Sequence, residues 1–74
     1  MMEQWTVEGF DDVCYCEQLS TTYRIQRHYK DSNTRCYQVV EIHDAAESGV
    51  LHLGEYKTRG SAKVFVHELI TDNL

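Results

Sequence analysis

The sequence predicts a small α+β domain: an antiparallel sheet, a meander of three to five strands, with a C-terminal amphipathic α-helix packed on one face. Three observations lead to this prediction. Apolar residues recur with helical spacing near the C-terminus, apolar and polar residues alternate through the middle of the chain, and turn-forming residues separate the alternating runs. With 74 residues and no linker or repeat, residues 1–74 are expected to form one domain.

The helix is predicted over residues 59–72. Counting from its first apolar residue, further apolar residues follow at the third, fourth, seventh and eighth positions, which is one stripe of a helix. Thr58 is suited to cap the first turn, since its hydroxyl can accept a hydrogen bond from a free amide there. Gly60 weakens that turn by about 1 kcal/mol relative to Ala. The stripe consists of Ala62, Phe65, Val66, Leu69 and Ile70.

Three strands are predicted before the helix, over residues 22–30, 34–43 and 50–57. Asp31-Ser32-Asn33 joins the first two as a hairpin, because Asn and Asp tolerate left-handed backbone angles. The polar segment 44–49 is predicted to be a loop. The sheet should place one face under the helix.

Side-chain alternation within the third of these strands predicts which residues share a face. A regular strand over residues 50–57 places Leu51 and Leu53 on one side of the sheet. The same alternation places His52 and Tyr56 on the other side.

Residues 4–19 allow two interpretations. Gly9 and residues 11–16 are all mediocre or poor helix formers, which favours two strands, residues 4–10 and 13–19, with Asp11-Asp12 as a tight turn. This hairpin extends the meander to five strands. The alternative is a short helix, whose apolar stripe would be Val7, Phe10, Val13 and Cys14.

Charge is unevenly distributed along the sequence, although the net charge is -5. Residues 1–20 carry five carboxylates and no Lys or Arg, residues 21–40 carry an excess of cations, and residues 41–74 again carry an excess of carboxylates. The chain is therefore bipolar. This division permits two opposite kinds of partner, a basic protein surface or a nucleic acid.

The acidic N-terminal region suggests that the protein docks on a basic surface of another protein. Complementary charge speeds association, and aromatic side chains anchor an interface. We predict a non-enzymatic regulator or inhibitor of a nucleic-acid-handling protein, by analogy with small acidic proteins of phages and mobile elements. The alternative is that these carboxylates only solubilise a sheet edge. The predicted contact residues are Trp5, Glu8, Phe10, Asp11, Asp12 and Glu17.

The basic middle of the chain suggests nucleic-acid binding as the alternative function. Single-stranded nucleic-acid binders interleave basic residues with aromatic ones, and Tyr37, His52 and Tyr56 are expected on the same sheet face as the cations. An ordinary solvated sheet face has the same composition, and the negative net charge disfavours phosphate. The candidate residues are Arg24, His28, Lys30, Lys57, Arg59 and Lys63.

Residues 53–63, Leu-Gly-Glu-Tyr-Lys-Thr-Arg-Gly-Ser-Ala-Lys, resemble the end of a double-stranded-RNA-binding domain. The resemblance covers residues 22–74 and implies the order β-β-β-α, an additional helix near the N-terminus, and a basic start of the last helix that holds phosphates. Arg59, Ala62 and Lys63 match the family's K-K-x-A-K pattern, while Gly60 replaces a lysine. The family's Gly-Pro-x-His loop, which reaches the RNA minor groove, is replaced by residues 30–33.

No catalytic residues, metal or cofactor are expected. Cys14 and Cys16 would share a face of a strand, but neither they nor Cys36 show the spacing of structural zinc ligands. No nucleophile elbow, phosphate-binding glycine loop or metalloprotease motif occurs. The histidines, each expected at a solvated position, are His28, His43, His52 and His67.

A cytoplasmic location is expected. Three cysteines without disulfide-framework spacing indicate a reducing compartment, and no apolar run approaches the ~18–20 residues of a membrane span. The first residues lack the pattern of a secretory signal. A chain this short has a marginal core, so a monomer or a homodimer is expected.

Overall fold

The antiparallel sheet and the C-terminal helix are both present in a computed structural model, which describes residues 3–43 and 49–74. The predicted loop over 44–49 lies outside the described residues except for Gly49. A short 3₁₀ turn, Glu17–Leu19, links the second and third strands. The elements are β1 (Trp5–Glu8), β2 (Asp11–Cys16), β3 (Thr21–Tyr29), β4 (Arg35–His43), β5 (Val50–Tyr56) and α1 (Arg59–Asn73).

The sheet is a meander in which the strands lie in the order β1-β2-β3-β4-β5, each antiparallel to its neighbours. The longest ladder joins β3 to β4, from Thr21 opposite His43 to Tyr29 opposite Arg35. The predicted turn between these strands is confirmed. Its Asp31 carboxylate accepts hydrogen bonds from the backbone amides of residues 33 and 34, both at 2.8 Å.

The N-terminal region is a hairpin, as favoured from the sequence, but its turn is not at Asp11-Asp12. The two-residue loop is Gly9-Phe10, closed by the pair Glu8 and Asp11. Gly9 has φ of 64°, the left-handed value that the first loop position of a type II′ turn requires and that glycine adopts without strain. This preference places both aspartates inside β2.

Helix α1 packs across one face of the sheet, which we call the helix face; the other is the open face. Thr58 caps the helix as predicted, because its Oγ1 accepts a hydrogen bond from the Ser61 amide at 3.1 Å. The predicted apolar stripe supplies the contact, with Phe65 and Leu69 partly buried at its flanks. The buried core is formed by Cys14, Cys16, Tyr23, Ile25, Tyr37, Val39, Ala62, Val66 and Ile70.

A bulge in β5 changes the predicted faces of that strand. Val39 lies opposite Gly54, whereas the next residue of β4 lies opposite His52, so Leu53 is an extra residue in β5. One extra residue reverses the alternation beyond it. Leu53 and Tyr56 therefore both pack against the core on the helix face, and the prediction that they lie on opposite faces was wrong.

The open face, which lies away from α1, is also partly apolar. Val13 and Val40 are buried there, and Arg24 lies opposite both of them, on β2 and β4 respectively. Because the aliphatic stem of an arginine can cover apolar neighbours while its guanidinium stays solvated, Arg24 shields both valines. Cys36 is also buried on this face.

Tyr23 gives the core a titratable group. It is 1% exposed and lies opposite Glu41; burial and then the Glu41 carboxylate raise the pKa of its phenol to about 12. Because the folded-state pKa lies above the ordinary value of 10, the protonated Tyr23 phenol contributes fully to the stability of the folded protein below pH 10. This contribution is lost as the pH rises through about 12. We expect the free energy of unfolding to fall by about 2–3 kcal/mol across this window on account of Tyr23.

Urea unfolding at pH 9 and pH 12 would measure this loss. Tyr23→Phe removes the ionisable group and should lose correspondingly less stability across the window. Tyr29→Phe is the matched control, since Tyr29 is 54% exposed, and it should lose as much as the wild type. An alkaline loss in Tyr23→Phe equal to that of the wild type would contradict the assignment.

Candidate functional site

Two of the predicted acidic contact residues are bound within the protein by an arginine of the neighbouring strand. Arg24 Nη1 lies 2.7 Å from the Asp11 carboxylate and its Nη2 lies 3.1 Å from the Glu8 carboxylate. The hydrogen bond with Asp11 raises the pKa of Arg24. All three groups lie on the open face, where Arg24 compensates one of the two carboxylate charges.

Asp12 is a core residue of the helix face. It is 5% exposed, and Arg59 at the start of α1 places its Nε 2.8 Å from the buried Oδ2. Within the described part of the chain no donor makes a well-aligned hydrogen bond to that oxygen. The carboxylate charge is therefore compensated chiefly by Arg59.

The other predicted contact residues lie far apart in the fold. Glu17 is exposed in the 3₁₀ turn after β2, and Phe10 is 75% exposed in the β1–β2 loop at the opposite end of that strand. Trp5 is partly buried, with Lys63 Nζ 5.3 Å from its ring centroid. The structure does not bring the six predicted residues together into one surface.

The predicted basic set is divided between the open face and the helix. Arg24, His28 and Lys30 lie on the open face with His52, as expected from alternation. Lys30 forms an ion pair with Glu55, which lowers the pKa of that carboxyl group, and Arg24 is paired as described. The cations of the open face are therefore mostly compensated.

Two of the aromatic residues expected beside these cations lie elsewhere. Tyr37 and Tyr56 belong to the helix face, where Tyr37 is in the core and Tyr56 packs on Phe65 with ring centroids 5.3 Å apart. The expectation that both tyrosines share a face with Arg24 was wrong. Tyr37 lies three residues from Val40, which is opposite Arg24, so alternation along β4 places Tyr37 on the other face. The β5 bulge moves Tyr56 to that same face. Lys57 is exposed between β5 and α1.

Charge is segregated along the strand direction rather than along the sequence. One end of the molecule contains the residues before β1, the 3₁₀ turn, the end of β4 and the last turns of α1. This end, which we call the acidic end, carries five carboxylates of the described residues, and none of the seven Lys and Arg lies on its segments. Its carboxylates are Glu3, Glu17, Glu41, Glu68 and Asp72.

The acidic end contains an open groove of about 330 Å³ between β2 and the C-terminal end of α1. Glu3 and Glu17 line it together with Tyr15, which is 51% exposed. Cys14 and Cys16 also line it but are buried. Burial, then the Glu3 charge, raises the pKa of the Cys14 thiol, so this thiol is protonated at neutral pH.

The cysteines and histidines are dispersed. Cys36 lies on the open face, so the sheet separates it from Cys14 and Cys16, and all three thiols are free. His43 contacts Thr21 and Glu41, whereas His67 contacts Glu3 at 2.6 Å. Within residues 3–43 and 49–74, no three His, Cys, Asp or Glu side chains are grouped to hold a metal ion.

The opposite end presents arginines and aromatic rings, of which Arg27, Tyr29 and Arg35 were not among the residues predicted from the sequence. Arg27 places its guanidinium 4.7 Å from the Phe10 ring centroid and 5.7 Å from that of Tyr29. Arg35 lies opposite Tyr29 and 5.8 Å from the Tyr37 ring. In the β3–β4 hairpin, Arg27 lies opposite Tyr37 and Tyr29 lies opposite Arg35. These cross-strand pairs of arginine with tyrosine were the signal in the sequence that could have predicted this surface.

Comparison with protein-family models, with curated proteins and with solved structures finds no match. The region where a double-stranded-RNA-binding domain has its first helix forms β1 and β2 in this chain. No helix among the described residues has the length and apolar character needed to cross a membrane.

Proposed function

We propose that this chain is a non-enzymatic binding protein that docks on a basic surface of a nucleic-acid-handling protein through its acidic end. The observation that carries the proposal is that the five carboxylates of that end lie on segments without Lys or Arg, whereas the other described carboxylates lie among the cations. The sequence suggested the same kind of partner but a different contact surface. Of its predicted contact residues, only Glu17 belongs to the acidic end.

The orientation of α1 adds to the negative potential of the acidic end. The carbonyl groups at a helix C-terminus carry a partial negative charge, and a basic residue in the last turn usually compensates it. The last turn of α1 contains no basic residue. Its dipole therefore acts together with Glu68 and Asp72 on any approaching cation.

The groove provides a place for a basic side chain of the partner. Glu3 and Glu17 both line it, and the Glu3 carboxylate also contacts His67 at 2.6 Å. Carboxylates suit an arginine, whose guanidinium forms bidentate hydrogen bonds with them. Nucleic-acid-handling proteins expose many such arginines, because they neutralise phosphates.

Neutralising the acidic end should abolish partner binding without unfolding the protein. The variant is Glu17→Gln, Glu68→Gln and Asp72→Asn; all three side chains are exposed, so stability should change by less than about 0.5 kcal/mol per site. Affinity capture from a nuclease-treated lysate of the source cells, followed by mass spectrometry, would compare this variant with the wild type. We expect a nucleic-acid-handling protein captured by the wild type, released by salt as screening increases, and lost with the variant.

A control variant raises the net charge by the same amount at the other end: Val7→Lys, Ser32→Lys and Asn33→Lys, all at exposed positions. The control should retain the partner. The proposal fails if the neutralised variant captures the partner as well as the wild type, or if both variants lose it equally. A captured partner without affinity for nucleic acid would contradict the assigned partner class.

A further inference from the structure

Two exposed aromatic rings and two arginines form a continuous surface at the end of the sheet opposite the acidic end. The Arg27 guanidinium lies over both the Phe10 and Tyr29 rings, and Arg35 lies directly across from Tyr29 in the β3–β4 ladder. All four side chains are on the helix face, beside the start of α1. We call Phe10, Arg27, Tyr29 and Arg35 the aromatic–arginine surface.

The arginines of this surface differ from the other arginines in their surroundings. Arg24 is paired with two carboxylates and Arg59 with Asp12. No carboxylate within 4.0 Å of Arg27 or Arg35 is found in the described part of the chain. Nearby, Asp12 is engaged by Arg59, and Asp31 accepts hydrogen bonds from its own turn. The surface therefore retains uncompensated positive charge in a protein of net negative charge.

The rings are available to a ligand. Phe10 is 75% exposed and Tyr29 is 54% exposed, whereas Tyr37 beside them is buried and cannot stack on anything outside the protein. Exposed apolar side chains that form a patch rimmed by polar groups mark interaction sites, whereas apolar residues scattered singly over a surface do not. Arg27 covers part of each ring and leaves the remainder open.

We propose that the aromatic–arginine surface binds single-stranded nucleic acid, with bases stacked on Phe10 and Tyr29 and phosphates held by Arg27 and Arg35. A guanidinium that stacks on a ring keeps its N–H edge free for a phosphate. Base stacking on aromatic side chains is tolerant of sequence, and single-stranded binders combine it with basic residues. An acidic peptide would use the arginines but leave the rings without a stacked partner.

The binding should be weak and dependent on salt. Two arginines neutralise few phosphates, and the acidic end repels a long strand, so a dissociation constant of about 10⁻⁴–10⁻⁶ M is expected. Fluorescence anisotropy with labelled oligo-dT and oligo-U of about twelve nucleotides, within the usual site size, would measure it at about 50 mM salt.

Two double variants separate stacking from charge. Phe10→Ala with Tyr29→Ala should weaken binding at least tenfold, and Arg27→Gln with Arg35→Gln should weaken it and flatten its salt dependence. Leu51→Ala, which removes an exposed apolar side chain of β5 outside this surface, should bind as the wild type does. Thermal unfolding of each variant shows whether it is folded before its affinity is compared.

Three results would overturn the proposal. The first is no binding by the folded wild type at about 100 µM protein in low salt, the weak limit of non-specific binders. The second is undiminished binding by the variant that lacks both rings. The third is equal competition by polyglutamate of the same charge or by an RNA duplex of the same length, since neither offers exposed bases to stack. These assays contain no protein partner, so their failure leaves the proposed function of the acidic end standing.

Discussion

Asp12→Lys is expected to unfold the protein or remove most of its stability. The substitution places an ammonium group at a site that is 5% exposed and leaves it beside the Arg59 guanidinium. Breaking a buried ion pair costs about 3–5 kcal/mol, and like charges add to this. A domain of this size has about 4–11 kcal/mol of stability in total. Urea unfolding followed by far-UV circular dichroism would measure the loss.

Glu17→Lys is the matched control for this prediction. It makes the same change of charge in the same N-terminal segment, but at an exposed position, and it should change the free energy of unfolding by less than about 0.5 kcal/mol. Equal denaturation midpoints for the two variants would show that Asp12 is not buried against Arg59. The comparison also matters for function, because a loss of binding in Asp12→Lys reports unfolding and not a partner contact.

Ile25→Ala is expected to destabilise the protein by about 2–5 kcal/mol, the usual range for deleting a buried isoleucine side chain. Ile25 is 1% exposed, at the centre of β3, where Asp12 and Val39 lie opposite it on the two neighbouring strands. The cavity would lie between the sheet and α1. Because the whole domain is only marginally stable, a large fraction of the variant should be unfolded near 37 °C.

Leu51→Ala provides the comparison for Ile25→Ala. Leu51 is also an aliphatic residue within a strand, but it is 56% exposed, so its truncation should cost less than about 0.5 kcal/mol. Chemical denaturation of both variants under the same conditions would test this difference. A cost for Leu51→Ala as large as that for Ile25→Ala would mean that the edge strand β5 is covered, for example by a second copy of the chain.

The sheet and helix could be predicted because their signals are local. The stripe from Ala62 to Ile70 repeats with helical period, and residues 22–30 and 34–43 alternate around a turn whose Asp31 makes its own hydrogen bonds. These features need no knowledge of distant residues. They identified α1, β3 and β4 to within one residue at every end.

The errors in the predicted fold arose at two places where a single residue changes the pairing register of the strands. The N-terminal turn was placed at the aspartates because Asp favours turns, but the positive φ available to Gly9 decided its position. In β5, alternation was extrapolated through Leu53, and nothing in the local sequence marks the bulge there. Each error moved side chains to another position or face, which matters more for a site than for the fold.

The sites were harder to predict because charge pairing is a property of the tertiary structure. Asp12 and Arg59 are distant in sequence but lie within 2.8 Å, and Arg24 joins Glu8 to Asp11 from another strand. Summing charges along the sequence therefore overstated the acidity of the N-terminal hairpin. The same sum concealed the acidic end, whose carboxylates come from both ends of the chain, from the 3₁₀ turn and from β4.

The meander order of the sheet also has a consequence for the rate of folding. Every strand pairs with its neighbour in the sequence, so each hairpin can form by closing a short loop before the next one is added. The β3–β4 ladder is the longest, and its turn is held by a hydrogen bond to the Asp31 carboxylate. We therefore expect this hairpin to form first during folding. Among the described elements, the docking of α1 on the sheet is the step that brings distant segments together. This low contact order favours rapid folding for a β-rich chain and limits the time during which its strand edges are open to aggregation.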